Sequence, residues 1–277
     1  MQEPLPGPTR RLETSMIIDC HTHFSTYTNE GLSFAQIKDR LLTDMERNGI
    51  DFSCVLPDSE SGSAVADLDT TLELTAASPR LFALGTVLVS SIDAAVLEKI
   101  EKLAAARSII GIKLYPGFEE FYPDDECCYP LYDICRRYAL PVLFHSGETL
   151  QERWREEFNH PWEIARLAEN CPDLNIIIAH FSQPHLEACR DILFKIPNVC
   201  ADISSLAHPT TTSVCGRDFI RQVLEETVKK SPEKVLFGTD WPICDVTDHI
   251  KLVESLDITD ESKELVFSGN AGRLFGL

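Results

Sequence analysis

The residues best equipped for chemistry begin at His21 and His23, in the stretch Met16-Ile17-Ile18-Asp19-Cys20-His21-Thr22-His23-Phe24. A short apolar run ends there in two histidines spaced i, i+2. Alternate side chains of a strand share a face, so both imidazoles can project the same way from one strand end. Two neutral imidazoles on one face are half of a transition-metal site. A His-x-His pair alone also occurs in ordinary loops, so its meaning depends on what ends the later apolar runs. Lys113 stands in Gly-Ile-Lys-Leu-Tyr-Pro, His145 in Leu-Phe-His-Ser-Gly-Glu, His180 in Ile-Ile-Ala-His-Phe, and Asp240 in Phe-Gly-Thr-Asp-Trp-Pro. Ser204-Ser205 ends another run, with His208 a little beyond. One such histidine would read as a hydrogen-bonded structural residue. Four of the eight histidines at matching places read as a site.

The elements that must position these residues follow from hydrophobic periodicity. Strand-like runs cover 16–20, 52–56, 81–88, 109–114, 141–144, 175–179, 199–203 and 234–238. Helix-like segments lie between them. The first opens on the capping box Ser33-Phe34-Ala35-Gln36, carries Phe34, Ile37, Leu41 and Met45 on one stripe, and ends at Asn48-Gly49. Further helices are expected over 64–77, from Asp93, over 126–138, from Pro161, and over 184–194, 217–229 and 260–267. Eight alternating units imply a parallel sheet, and eight close into a (β/α)8 TIM barrel of about 250 residues. The chain of 277 residues fits one such domain, 16–277, behind a flexible Pro-rich arm, 1–15. An open doubly wound sheet usually carries a Gly-rich phosphate turn after an early strand, and none is present.

In a (β/α)8 barrel the site lies at the carboxyl ends of the strands. Closure makes the eighth strand a neighbour of the first, so Asp240 should meet His21 and His23, with His145 and His180 arriving from the far side of the mouth. Such N/O ligands with room for water describe a zinc-like catalytic site, where bound water loses its proton near neutral pH. An unmodified Lys113 there is a cation that can hold a carboxylate or an oxyanion, unless it snorkels out of the mouth.

These motifs, with the terminal Ser-Gly-Asn-Ala-Gly-Arg-Leu-Phe, resemble the amidohydrolase superfamily from about Met16 to the end. The closest likeness is to the amidohydrolase-related branch containing aminocarboxymuconate-semialdehyde decarboxylase, lactonases and hydrolases. The resemblance implies His21, His23, His145, His180 and Asp240 as metal ligands. It makes His180 an alternative acid/base and Asp240 the manager of the water proton. In binuclear relatives the lysine matching Lys113 is carbamylated and bridges two metals; the expectation here is one zinc ion and a free lysine. Tyr115, Glu148 and His208 are expected around the substrate, with Glu148 read by preference as a plain loop charge. Phe118, Phe121, Tyr122 and Trp154 shape the long loops or simply pack them down.

Composition narrows the classes. A formal charge of -19 without a Lys/Arg cluster disfavours nucleic acid, and so a deoxyribonuclease relative. No apolar run approaches the roughly 20 residues of a membrane span, and the leader lacks a signal-peptide core. The ten cysteines include Cys127-Cys128 but no Cys-x-x-Cys pair, which fits buried, reduced thiols in a cytoplasmic protein. Cys20 should point away from the histidines. His160, His185 and His249 read as surface residues. The sequence therefore points to a metal-dependent hydrolase of an amide, lactone or ester in a small molecule. A decarboxylase of an unsaturated or aromatic acid and a non-catalytic metal- or ligand-binding barrel are the competing readings. Self-association stays open.

Overall fold

A computed structural model describes residues 16–60, 62–147 and 155–277; the expected arm 1–15, Glu148 and Trp154 lie outside the described residues. Its strands are β1 Ile18–Thr22, β2 Phe52–Val55, β3 Leu81–Ala83, β4 Gly85–Thr86, β5 Ile112–Leu114, β6 Val142–Phe144, β7 Ile176–Ile178, β8 Val199–Asp202 and β9 Val235–Leu236. All ladders are parallel, in the orders β1-β2-β3 and β4 through β9. β3 and β4 together fill the third barrel position. The break at Leu84 is bridged, since Leu84 N–H donates to Val55 O and Ile110 N–H to Ala83 O, both at 3.0 Å. Eight strand positions thus form the expected (β/α)8 barrel.

The last strand closes onto the first through Cys20 N–H to Phe237 O (3.0 Å), Asp240 N–H to His21 O and His23 N–H to Trp241 O (both 2.8 Å). Asp19 reinforces this seam. Its carboxylate accepts from Thr239 N–H at 3.0 Å and Thr239 Oγ1 at 2.6 Å. Gly238 permits the approach, because a Cβ there would lie 3.0 Å from His21 Cβ.

Helices α1 Phe34–Asn48, α2 Leu68–Ala76, α3 Ala94–Ala105, α4 Tyr129–Tyr138, α5 Glu156–Asn159, α6 Pro161–Asn170, α7 Leu186–Lys195, α8 Pro209–Thr211, α9 Arg217–Lys230, α10 Val246–Glu254, α11 Asp260–Glu264 and α12 Asn270–Phe275 connect the strands. α1 has both capping-box hydrogen bonds and a left-handed Gly49 behind it, and it buries Ile37, Leu41 and Met45. Each such side chain contributes about 1.5–3 kcal/mol on burial. α2 starts later than the pattern 64–77 implies, because Asp67 caps it. α10 has no counterpart in the pattern, and the terminal helix runs on to Phe275 through a π-helical turn at Leu265–Gly269.

Alternation along the strands separates two apolar clusters. Val142, Phe144, Ile176 and Ile178 face the helices, while Leu143 and Ile177 join Ile18, Cys54 and Leu236 inside the barrel. Ala271, Leu274 and Phe275 of α12 join that inner cluster. Eight of the ten cysteines are buried, and none is in a disulfide. Among the described residues, no helix is long and apolar enough to cross a membrane.

Candidate active site

Each polar residue singled out at a strand end lies at the barrel mouth, except that Glu148 is outside the described residues. β1 delivers His21 and the residue after it delivers His23; both Nε2 atoms face Asp240 Oδ1, at 3.7 and 3.4 Å. The imidazoles form a chain. Ring centroids lie 5.2 Å apart for His21–His23, 4.8 Å for His21–His180 and 5.1 Å for His145–His180. All four are buried, as are Lys113 and Asp240. Simple alternation does not account for the convergence of His21 and His23, since the β1–β2 register slips between Asp19 and Thr22. Cys20 is buried beside Ile18 and Cys54, and burial raises its thiol pKa far above the ordinary value, so it stays protonated.

Hydrogen bonds fix the tautomers. His23 Nδ1 lies 2.8 Å from Leu56 O, an acceptor only, so Nδ1 carries the proton and Nε2 a lone pair. His21 Nδ1 lies 2.8 Å from Asp202 Oδ2. Burial would raise the Asp202 pKa, but His21, His180 and Ser204 outweigh it and hold the group below the ordinary carboxylate value. His21 Nδ1 is therefore the donor. Ser204 Oγ gives its one proton to Asp202 Oδ1, so it accepts from His180 Nδ1, 2.8 Å away. Three imidazoles thus turn bare Nε2 atoms toward the cavity, each backed by an oxygen, the usual arrangement behind metal-ligating histidines.

The backbone is bent to this purpose. His180, Phe181 and Ser182 (φ 58, 48 and 53°), Ser205 (63°) and Asp240 (69°) all occupy the left-handed region. That region costs a non-glycine residue about 1–3 kcal/mol. Asp202 Oδ1 offsets part of it by accepting from His180 N–H at 2.9 Å. Asp240 is anchored by its N–H to His21 O and by Ser205 Oγ, which donates to Oδ2 at 2.7 Å.

The electrostatics follow from burial. Burial takes the His180 pKa down to about 3 and pushes that of His145 far down as well, so both are neutral at physiological pH. Burial opposes ionisation of Asp240, but His23 and the other imidazoles around it hold its pKa well below the ordinary carboxylate value. Lys113 is 1 % exposed. Burial lowers its pKa to about 8, with Asp202 and Asp240 pulling the other way. Its Nζ has no hydrogen-bond partner and sits 5.0 Å from the Tyr115 ring. It does not snorkel outward.

His21 Nε2, His145 Nε2 and Lys113 Nζ are buried polar atoms without partners, all at one place. Orphaned donors and acceptors of this kind are costly unless something binds them. A divalent ion fits the imidazoles and Asp240; His21, His23 and Asp240 alone bring donor atoms within 4.8 Å of one another. Above them opens a cavity of about 740 Å³. Tyr115 lines it with its hydroxyl bonded to Pro57 O at 2.7 Å, and Phe118 meets the His145 ring at 4.7 Å. His208 reaches the wall, where its Nδ1 accepts from Thr210 N–H at 3.3 Å. Phe121 and Tyr122 pack the loop down instead, Tyr122 against Phe158 at 4.8 Å.

Two corrections arise. His249 is not a surface residue: it is wholly buried, with Nδ1 bonded to Asp245 O at 2.9 Å and Nε2 accepting from Ala207 N–H at 3.4 Å. Asp202 and Ser204 hold two of the presumed ligands, yet sequence reasoning passed over Asp202 and recorded Ser204 only as a strand ending. The available signal was the lone charge inside the apolar run Val199-Cys200-Ala201-Asp202-Ile203.

The sequence model of the family described as amidohydrolase matches residues 18–277. The chain belongs to the amidohydrolase family. No curated protein matches it in sequence. Solved structures of the same fold include 5-carboxyvanillate decarboxylase from Sphingomonas paucimobilis (TM-score 0.69, 16 % identity, 95 % of this chain and 100 % of that one). Another is a probable 2-pyrone-4,6-dicarboxylic acid hydrolase from Acinetobacter baumannii with citric acid bound (0.68, 15 %, 94 % and 99 %). A third is a dihydroxybenzoic acid decarboxylase from Polaromonas sp. JS666 with manganese and 2-nitroresorcinol (0.70, 16 %, 95 % and 98 %). The family match makes this chain an enzyme.

Proposed function

We propose that this amidohydrolase holds one divalent ion at His21, His23, His145, His180 and Asp240 and hydrolyses a C–O or C–N bond of a small molecule. When bound, the ion supplies a Lewis acid for the substrate carbonyl and lowers the pKa of water. The observation that carries the reading is the pairing of Asp240 with Lys113. One is an ionised carboxylate and the other a buried cation of pKa about 8, both at the cavity floor. A carboxylate that stays ionised can take a proton, and a lysine with its pKa brought down to about 8 can give one near neutral pH. Asp240 Oδ1 takes the proton of the attacking water while Ser205 keeps Oδ2 in place. Lys113 faces the developing oxyanion and then has a proton to give the leaving group. The neutral His180 keeps its Nε2 lone pair for the ion and leaves the proton path to Asp240 and Lys113.

Imidazole and carboxylate donors suit zinc and manganese alike. An unmodified Lys113 goes with one ion; a carbamylated Lys113 would call for two. A second reading, decarboxylation of an aromatic acid, draws support from the aromatic side chains Tyr115 and Phe118 in the cavity wall and from the decarboxylases of the same fold. In that reaction Lys113 would protonate the ring carbon.

The test is a panel of lactones, esters, amides and hydroxybenzoates offered to protein loaded with zinc or manganese, with metal content measured alongside. Hydrolysis that is lost with Asp240→Asn supports the leading reading. Carbon dioxide release without hydrolysis replaces it with the second. Protein that takes up no ion after reconstitution overturns both.

A further inference from the structure

A second group of metal-type donors lies outside the mouth, at its rim. Glu156 opens α5, His160 stands between α5 and α6, and His185 precedes α7. Glu156 and His160 are four residues apart, and His160 N–H bonds back to Glu156 O at 3.0 Å, which keeps the two near each other at the end of the short α5. His185 comes to them from the segment that follows β7. The three side chains offer donor atoms all within 4.8 Å of one another. His185 Nε2 is hydrogen-bonded to Glu156 Oε1, and the His160 and His185 rings lie 4.6 Å apart, tilted by 54°. Two imidazoles and one carboxylate are the donor types that zinc and similar divalent ions take.

We propose that Glu156, His160 and His185 form a second, peripheral divalent-cation site of zinc type, distinct from the active site. The hydrogen bond between His185 Nε2 and Glu156 Oε1 occupies the place a cation would take, so binding replaces that bond. His160 is available at small cost, since its present contact with Trp162 N–H is long, at 3.5 Å. Half-exposed side chains on this rim leave an entry path and room for water as the remaining ligand.

Position gives the site a role. Glu156 and His160 belong to the segment after His145, and His185 to the segment after His180. These segments already touch: Ser146 Oγ and Ser182 Oγ are 2.7 Å apart, and Ser146 Oγ donates to Asn159 O at 2.9 Å. A Cβ on Gly147 would meet Gln183 O at 2.2 Å, so the two backbones run in contact. A cation across the rim would clamp the segments that present two of the active-site imidazoles. Binding only the folded form, it would also stabilise the chain.

The test begins with protein stripped by chelator and titrated with zinc against a chromophoric competitor, with elemental mass spectrometry as the count. Wild type should show two classes of site. His160→Ala/His185→Ala should lose only the weaker class and keep turnover, whereas His21→Ala/His23→Ala should lose only the tighter. His185→Gln keeps a hydrogen-bonding group beside Glu156 without the imidazole and should weaken the weaker class at least 10-fold, with loss of the zinc-dependent rise in Tm (roughly 10-fold being about 1.4 kcal/mol). Identical stoichiometry, affinity and Tm shift in wild type and the rim variants overturns the proposal. Since the rim variants spare the active-site donors, that failure is separate from any failure of the catalytic reading.

Discussion

Two groups of histidines occupy the same end of this barrel and differ in what surrounds them. At the mouth, His21, His23 and His180 are buried, and Asp202, Leu56 O and Ser204 fix which nitrogen of each carries the proton. At the rim, His160 and His185 are half-exposed; His185 is bonded to Glu156, and its ring lies 4.6 Å from that of His160. The residue types are alike. The mouth is preorganised: its lone pairs already point inward, and burial keeps His21 and His180 neutral. The rim must reorganise when a cation arrives, so its binding should be weaker and its influence structural rather than chemical.

The largest effect that separates the two groups is expected from Asp240→Asn. It keeps the shape but removes the base, and kcat/KM for the identified substrate should fall by about 10²–10⁴. Steady-state kinetics would check this, and activity near wild type would remove Asp240 from the proton path. Lys113 gives the pH signature. Its pKa is lowered from 10.5 to about 8, so it is a cation below that pH and loses its charge above it. The rate should therefore decline as pH rises through about 8. Lys113→Met should be slower throughout and lack that limb; a retained limb would assign it to another group. Asp202→Asn should cost about 10–100-fold in affinity for the ion, because His21 loses the anion behind Nδ1. Competition titration measures it, and the rim class should not move.

How far these distinctions could be read from the sequence depends on the physical range of each signal. β1 through β9 and α1 are written in periodicity and caps, both local. His21, His23, His145, His180 and Asp240 were legible because each ends an apolar run, and strand ends of a barrel converge by topology. Asp202 was missed because a charge inside a strand acquires its meaning only from His21 and His180, contributed by β1 and the segment after β7. His249 read as a surface residue because no helix was expected over 246–254; it is buried on α10 with Val246, Leu252 and Val253 and meets Ala207 across the chain. The rim group has the same character. His160 and His185 are 25 positions apart, and neither has a partner in its local pattern.

Ser204→Ala is the finest probe of the contrast. Ser204 touches three members of the network: it donates to Asp202 Oδ1, accepts from His180 Nδ1, and lies 3.1 Å from His21 Nδ1. Removing the hydroxyl leaves Asp202 with His21 and the His180 backbone, so His21 keeps its tautomer. His180 loses the acceptor that orders its ring and becomes free to exchange tautomers. One neutral hydrogen bond is worth about 0.5–1.5 kcal/mol, so ion affinity should fall by less than with Asp202→Asn. Chemical shifts of the His180 ring nitrogens in metal-free protein should shift toward a tautomer mixture while those of His21 stay put. Movement at His21 instead would mean that Ser204, rather than Asp202, fixes the first ligand.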